Sequence, residues 1–343
     1  MTFCMNISEH IPKFKELIEK SQNIVVLAHY NPDGDAIGSC AAWHDYLLNL
    51  GKNSQIVFPN DFPQNLKWIK GSETATIATK ELKKAQALIA YADLIICNDF
   101  QSFSRVGVLQ EISLKSRAKK ILVDHHVDPE VEQFDLIFSN VESSSTSELV
   151  FEIITLLNPE EPVSKTIAEA IYVGIMTDTG SFSYSSGHKR TFEIVAELIG
   201  LGVDTCQIFQ DVYSTFSENR MRMLGHCLTN RLKVLPEFST AYMYLTKEDL
   251  REFREIPGDT EGIVNYALAI KGIKFAVFFT EREKRIRISF RSKGEVDCNE
   301  FAKTFFNGGG HHNASGGDSF ETMQETIQKF EKLLPELKQK SNL

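Results

Sequence analysis

The sequence predicts an α/β fold in two domains, and three observations carry that prediction. In the N-terminal part, apolar runs too short for helices alternate with helical patterns, as in a parallel sheet built from βαβ units. Several of these runs stop at acidic or imidazole residues, where open α/β sheets keep their ligands. Beyond about residue 232 the pattern changes to alternating strands around a charged turn. A length of 343 residues also suits two domains.

The elements follow in order. Ile7, Ile11, Phe14 and Ile18 are spaced for an amphipathic helix over 7–21. Ile24–Ala28 reads as the first buried strand and ends in His29-Tyr30-Asn31-Pro32-Asp33-Gly34-Asp35. A small-residue helix is expected from Ala36 to Gly51, packed closely on the sheet. Ile56–Phe58, Ala92–Cys97, Ile121–Val123 and Leu136–Phe138 are the next strands. The third ends at Asn98-Asp99 and the fourth at Asp124-His125-His126. Ser144-Ser145-Thr146-Ser147-Glu148 supplies hydroxyl caps for a helix through Leu157. Further helices are predicted over 164–176, ending at Thr177-Asp178-Thr179-Gly180, and over 189–199. The predicted divisions are 1–204, a helical connector of mixed charge over 205–231, and a smaller α/β domain with a mixed sheet over 232–343. In the latter, Ala241–Leu245, Phe275–Thr280 and Arg285–Arg291 are strands, 297–306 is a helix, and Thr322 with Glu325 caps the last helix.

Composition narrows the function. Hydrophobic content of 42% and charged content of 24% are ordinary for a globular protein. Apolar runs fall far short of a membrane span, and Lys13, Glu16 and Glu19 break any secretory pattern. The six cysteines are scattered without a Cys-x-x-Cys pair. That argues for a reducing cytoplasm and against a thiolate zinc site or a disulfide framework. A net charge of -9 disfavours long duplex nucleic acid but leaves room for a small phosphorylated substrate. A homodimer is the default oligomer.

His29, Asp33 and Asp35, then Asp99, then Asp124, His125 and His126, then Asp178, all stand at the ends of apolar segments. Each has an ordinary alternative: Asn31–Asp35 as a turn, Asp99 and Asp178 as helix caps. Together they favour one site. Carboxylate and imidazole without thiolate suit Mn²⁺ or Mg²⁺, and imidazole also admits Zn²⁺ or Co²⁺. So many carboxylates call for two ions with one carboxylate bridging, an arrangement suited to phosphoryl chemistry. In the second domain, Arg285, Arg287, Ser289, Arg291 and Lys293 alternate with Ile286, Ile288 and Phe290. A solvated edge strand gives the same pattern. Arg291 and Lys293, nearest the strand end, are the better phosphate ligands. The run Gly308-Gly309-Gly310-His311 allows backbone amides to approach an anion.

The ordered set His-x-x-x-Asp-x-Asp, Asp99, Asp124-His125-His126 and Asp178 resembles the motifs of the DHH phosphoesterases. Gly308–His311 with Ala314-Ser315-Gly316 resembles the signature of their DHH-associated C-terminal domain. The resemblance covers nearly the whole chain and is nearest the NrnA-type oligoribonuclease/pAp phosphatase subgroup. It implies a Rossmann-like DHH catalytic domain, a smaller substrate-binding domain and a cleft between them. It implies His29 and Asp33 on one Mn²⁺, Asp35, His125 and Asp178 on the other, and Asp99 bridging. Mg²⁺ or Co²⁺ are possible substitutes. His126 would contact the scissile phosphate or protonate the leaving oxygen, and Asp124 would orient the histidines. Gly309, Gly310, His311 and Arg291 would bind substrate. The implied activity is hydrolysis of short oligoribonucleotides, pApA and pAp by two-metal activated water. The alternatives are a cyclic-di-AMP phosphodiesterase, an inorganic pyrophosphatase or exopolyphosphatase, and a non-catalytic nucleotide-binding protein. Asn307 stands where many relatives have a further glycine.

Overall fold

The computed structural model describes residues 7–183 and 188–341. The chain divides into two compact units, Met1–Thr215 and Phe216–Leu343. The segment read as a helical connector holds two helices, Thr205–Tyr213 and Glu218–His226, and the division falls between them.

In the first unit the strands are β1 (Asn23–Ala28), β2 (Asn53–Phe58), β3 (Thr76–Ile77), β4 (Leu94–Asn98), β5 (Lys119–Asp124) and β6 (Leu136–Ser139). They form one parallel sheet in the order β3-β2-β1-β4-β5-β6. The helices are α1 (Ile7–Lys20), α2 (Gly34–Asn49), α3 (Ala78–Tyr91), α4 (Gln110–Lys115), α5 (Thr146–Leu157), α6 (Lys165–Asp178), α7 (Lys189–Gly200) and α8 (Thr205–Tyr213). The two-residue period of the strands divides their side chains between two cores. Ile24, Val26, Ile96, Ile121 and Val123 join α1, α2, α5 and α6 on one face. Val25, Leu27, Ile95, Cys97 and Leu122 join α3 and the turn Phe103–Leu109 on the other. Burial on both faces explains why these strands read as continuous apolar runs. The two-residue β3 is too short to show a period and was not foreseen.

The small-residue helix begins at Gly34 rather than Ala36. Asp33 is its N-cap, accepting the amides of Asp35 and Ala36 at 3.1 Å each. Its closest approach is to another helix. A Cβ on Gly38 would lie 2.4 Å from the Ala170 carbonyl oxygen of α6.

The second unit holds α9 (Glu218–His226), β7 (Lys233–Leu235), β8 (Thr240–Leu245), α10 (Lys247–Glu252), α11 (Ile263–Leu268), β9 (Phe275–Glu281), β10 (Ile286–Ser292), α12 (Cys298–Phe305), β11 (Gly309–His311), β12 (Ala314–Ser319) and α13 (Met323–Ser341). Its sheet runs β11-β12-β10-β9-β8-β7, mixed because β8 and β9 are parallel while the other pairs are antiparallel. Phe275, Phe290, Phe301 and Phe330 pack together between the sheet and α12 and α13. Thr322 and Glu325 form the expected reciprocal cap. Among the described residues no helix is long and apolar enough to cross a membrane. Cys40, Cys97, Cys206, Cys227 and Cys298 are free thiols, and Cys4 lies outside the described residues.

A partly buried ion pair fixes the start of α10. Arg231 donates to both oxygens of Asp249, at 2.8 and 3.1 Å, and the same carboxylate caps Thr246. Burial raises the Asp249 pKa, but the bonds from Arg231 and Thr246 outweigh it and leave the group below its ordinary value. A depressed carboxylate adds stability above its unfolded pKa and loses it as pH falls through the folded one. Asp249→Asn is therefore expected to cost about 2 kcal/mol at neutral pH, with the difference from wild type narrowing below about pH 4. Calorimetric melting of the full chain at both pH values checks this, and equal melting temperatures at pH 7 would refute it.

Candidate metal centre

The order of the first sheet decides where polar residues converge. The chain winds from β1 outward through β2 and β3, then returns to β4 on the other side of β1. Ligands of doubly wound sheets bind beyond the strand ends at this switch point. His29 directly follows β1, Asp99 follows β4, and Asp124 ends β5. The pairings Ala28 with Asn98 and Asn98 with Val123 bring these ends level. Asp99 turns the chain there, with φ +62°, a conformation that aspartate tolerates better than most residues.

His29 Nε2 lies 3.4 Å from an Asp99 oxygen. His125 Nε2 lies 3.7 Å from Asp99, 3.5 Å from Asp178 and 4.0 Å from Asp35. His126 Nδ1 lies 3.6 Å from Asp99. Within the first unit, three sets of described residues bring their ligand atoms within 4.8 Å of one another: His29, Asp33 and Asp99; Asp35, Asp99 and His125; Asp99, Asp124 and His126. Asp99 belongs to all three. Asp178, the last residue of α6, stands beside His125.

The remaining bonds orient the rings. His29 Nδ1 faces the Tyr30 carbonyl at 3.0 Å, and His125 Nδ1 faces the Ser143 carbonyl at 3.2 Å. A carbonyl on Nδ1 holds the proton there and leaves Nε2 as the ligand atom. Asp124, expected to orient both histidines, bonds through Oδ1 to His126 at 2.7 Å. Its Oδ2 is buried and has no hydrogen-bond partner among the described residues.

Two residues of the centre were not foreseen as such. The amides of Thr146 and Ser147 donate to the two oxygens of Asp35 at 2.7 and 2.8 Å, and the Thr146 hydroxyl donates to Asp99 at 3.1 Å. The N-terminus of α5 thus cradles a carboxylate 111 residues away in sequence. The visible signal was a run of hydroxyl residues in which Ser145 alone makes the side-chain cap, to the Glu148 amide.

The electrostatics fit divalent cations. Asp35 is pushed well above the carboxylate range by burial and then by Asp99 and Asp178. Burial lifts Asp178 to about 6, against the pull of His125 and with support from Asp33 and Asp99. Burial alone would lower His125, yet Asp178, Asp99, Asp35 and Asp124 together raise it to about 9. The crowded carboxylates hold protons at Asp35 and His125, while Asp99, which burial alone would raise, is kept below the carboxylate range by the bond from His29 and the charges of His126, His29 and His125. Divalent cations bound by the same oxygen and nitrogen atoms would displace those protons. The donor set contains no sulfur, consistent with a hard or borderline ion.

Two family descriptions match the chain: "DHH family, N-terminal domain" over residues 23–175 and "DHHA1 domain" over 239–340. The chain belongs to the DHH family. Among solved structures it is similar to an exopolyphosphatase-related protein from Bacteroides fragilis, 41% identical with a TM-score of 0.90, covering 98% of this chain and 100% of that one. It is also 28% identical over 301 residues to the bifunctional oligoribonuclease and PAP phosphatase NrnA of Bacillus subtilis, spanning 87% of this chain and 89% of the relative. The NrnA of Thermus thermophilus is 27% identical over 294 residues, 85% of this chain and 83% of the relative. The DHH and DHHA1 order matches that NrnA-like architecture.

In the DHHA1 unit the predicted residues lie on neighbouring strands. Arg291 of β10 pairs with Ala314 of β12, which pairs with His311 of β11, so the three form one cross-strand row. The glycine run is a short strand rather than an open loop. Its amides are partly engaged, since Gly310 N–H donates to Asn299 Oδ1 at 3.0 Å. Gly310 has φ +150°, and a Cβ there would lie 2.7 Å from the Ala314 carbonyl oxygen. Asn307 takes φ +46°, which explains why a glycine suits its place. Lys293, expected near phosphate, donates to the Leu268 carbonyl at 2.6 Å. Arg285 pairs with Asp318 at 2.8 Å, as a structural residue would.

Proposed function

We propose that this DHH-family chain is a Mn²⁺-dependent phosphoesterase that hydrolyses short oligoribonucleotides, pApA and pAp. The observation that carries the proposal is Asp99, shared between two sets of oxygen and nitrogen donors at the switch point of a parallel sheet. His29 and Asp33 would hold one ion, Asp35, His125 and Asp178 the other, and Asp99 both. When bound, such ions supply Lewis-acid stabilisation of phosphate charge and a lowered pKa for water. The chain's own groups do the rest. The α5 amides fix Asp35 in position. Asp124 holds His126 by Nδ1, so its Nε2 meets the phosphate or delivers a proton to the leaving oxygen. Arg291 and His311 grip the substrate, with the Gly309 and Gly310 backbone beside them.

The substrate class rests on similarity to the NrnA proteins. A second reading is favoured by the relative named exopolyphosphatase-related: hydrolysis of polyphosphate by the same centre. Assays with Mn²⁺ on pApA, pAp, cyclic-di-AMP, pyrophosphate and polyphosphate separate these readings. Release of AMP from pApA and phosphate from pAp, abolished by EDTA, is the expected result. Activity confined to pyrophosphate or polyphosphate would establish the second reading, and inactivity on all five would overturn both.

Arg291→Ala is expected to raise KM for pApA about tenfold while kcat stays within about threefold, because the residue binds ground state and transition state alike. A fall in kcat at constant KM would contradict that role.

A further inference from the structure

The cationic residues assigned so far all belong to the DHHA1 unit, yet the first unit carries one beside its own cluster. Arg105 lies in the turn Phe103–Leu109 that follows Asp99 after a short loop. Its backbone is held at both ends. Its amide donates to the Ser102 carbonyl at 3.0 Å, and its carbonyl accepts from the Tyr30 amide at 2.7 Å. Tyr30 is the residue after His29, so the turn is tied to the same strand end that carries the cluster. Gly107 lets the turn close beneath the Tyr30 ring, where a Cβ would meet Cδ2 at 3.1 Å.

The Arg105 side chain is half-buried. Its guanidinium makes no hydrogen bond or ion pair among the described residues. Asp33, Asp35, Asp99, Asp124 and Asp178 make the neighbouring cluster strongly acidic, so an unrestrained arginine would pair with one of them. The backbone anchors set Arg105 beside the strand end that carries the cluster, and its guanidinium bonds to none of these carboxylates among the described residues. A planar cation with five donors, kept unpaired beside a cluster suited to phosphate chemistry, is suited to a phosphate's oxygens.

We propose that Arg105 is an anion-binding catalytic residue of the first unit, taking a nonbridging oxygen of the phosphate under attack. The proposal deepens the phosphoesterase reading and rests on it for the identity of the substrate. It does not rest on it for the anion grip itself.

The test is calorimetric binding of inorganic phosphate to the full-length, Mn²⁺-loaded protein, with Mn²⁺ affinity and melting temperature measured alongside. Arg105→Ala is expected to weaken phosphate about 10- to 100-fold and leave Mn²⁺ affinity unchanged. Arg105→Lys, which keeps the charge but loses the fork, is expected to recover part of the binding. Arg105→Gln serves if the alanine variant fails to fold. With pApA, kcat of the alanine variant is expected to fall about 10²-fold. Unchanged phosphate affinity overturns the proposal, as does a wild type that binds no phosphate. An equal loss of Mn²⁺ and phosphate affinity overturns it too, because Arg105 would then act through the metal ligands. Arginine-dependent phosphate binding in a protein inactive on pApA and pAp would sustain the grip and reject the substrate reading.

Discussion

Asp99→Asn is expected to lower Mn²⁺-dependent release of AMP from pApA by at least about 10³-fold. The size follows from position rather than residue type. Asp99 is common to the three candidate metal sets of the first unit, and His29, His125 and His126 each face it within 3.7 Å. Asparagine keeps the shape and one acceptor for the Thr146 hydroxyl, so the loop at φ +62° remains supported. It removes the charge that two cations would share. Losing a ligand of a single ion would leave the other ion in place. Losing the shared ligand weakens both sites. Binding thermodynamics separate this from a structural role. An ion at a hundred times its Kd stabilises a folded protein by about 2.7 kcal/mol, so Mn²⁺ is expected to raise the wild-type melting temperature and scarcely move that of the variant. Titration calorimetry is expected to show two Mn²⁺ per wild-type chain and at most one per variant. Wild-type stoichiometry and activity in the variant at similar metal concentration would exclude Asp99 as the shared ligand.

Much of this centre was legible because the sheet is parallel. When strands share a direction, their carboxyl ends share an edge, so polar residues that each end an apolar run become neighbours without any knowledge of strand order. His29, Asp99 and Asp124 were recognisable on that ground alone. Strand order was not legible, and it is what places His29 3.4 Å from Asp99 instead of a strand farther away. Contacts made by backbone were hidden too. Nothing local to Thr146 or Ser147 reports that their amides face Asp35, since an amide carries no residue-specific signal. Arg105 carries no sequence signal for a related reason. Its significance is the lack of a partner, which only three dimensions reveal. In the DHHA1 unit, alternation gave the face of each arginine but could not tell the pairing of Arg285 with Asp318 from a ligand site. The bond from Lys293 to a backbone carbonyl 25 residues away likewise carries no local signal.

Gly174→Ala sets two effects of known size against each other. In an exposed helix the change would stabilise by about 1 kcal/mol through helix propensity. In α6 the new Cβ would lie 1.9 Å from Ser147 Oγ, 2.5 Å from Ser147 Cβ and 2.7 Å from Asp35 Oδ1. Rotating the serine relieves the first contact but not the second, which involves an atom fixed by the backbone. Helix α5 or α6 must therefore move. Both pack on α2, so separation opens the buried layer formed by Ile37, Val150 and Ile171. Overpacking of this kind typically costs about 1–3 kcal/mol, and here it also disturbs the amides that hold Asp35. The net expectation is destabilisation of the first unit by about 2 kcal/mol, a fall of about 4–8 °C in its melting temperature at this size. Activity is expected to fall more than tenfold even where the variant is fully folded, because the displaced groups are Ser147 and Asp35. Calorimetry combined with assays well below the transition checks both parts. A raised melting temperature would mean that propensity outweighs the clash. A lowered one with intact activity would mean that the α5 amides do not position Asp35 for catalysis.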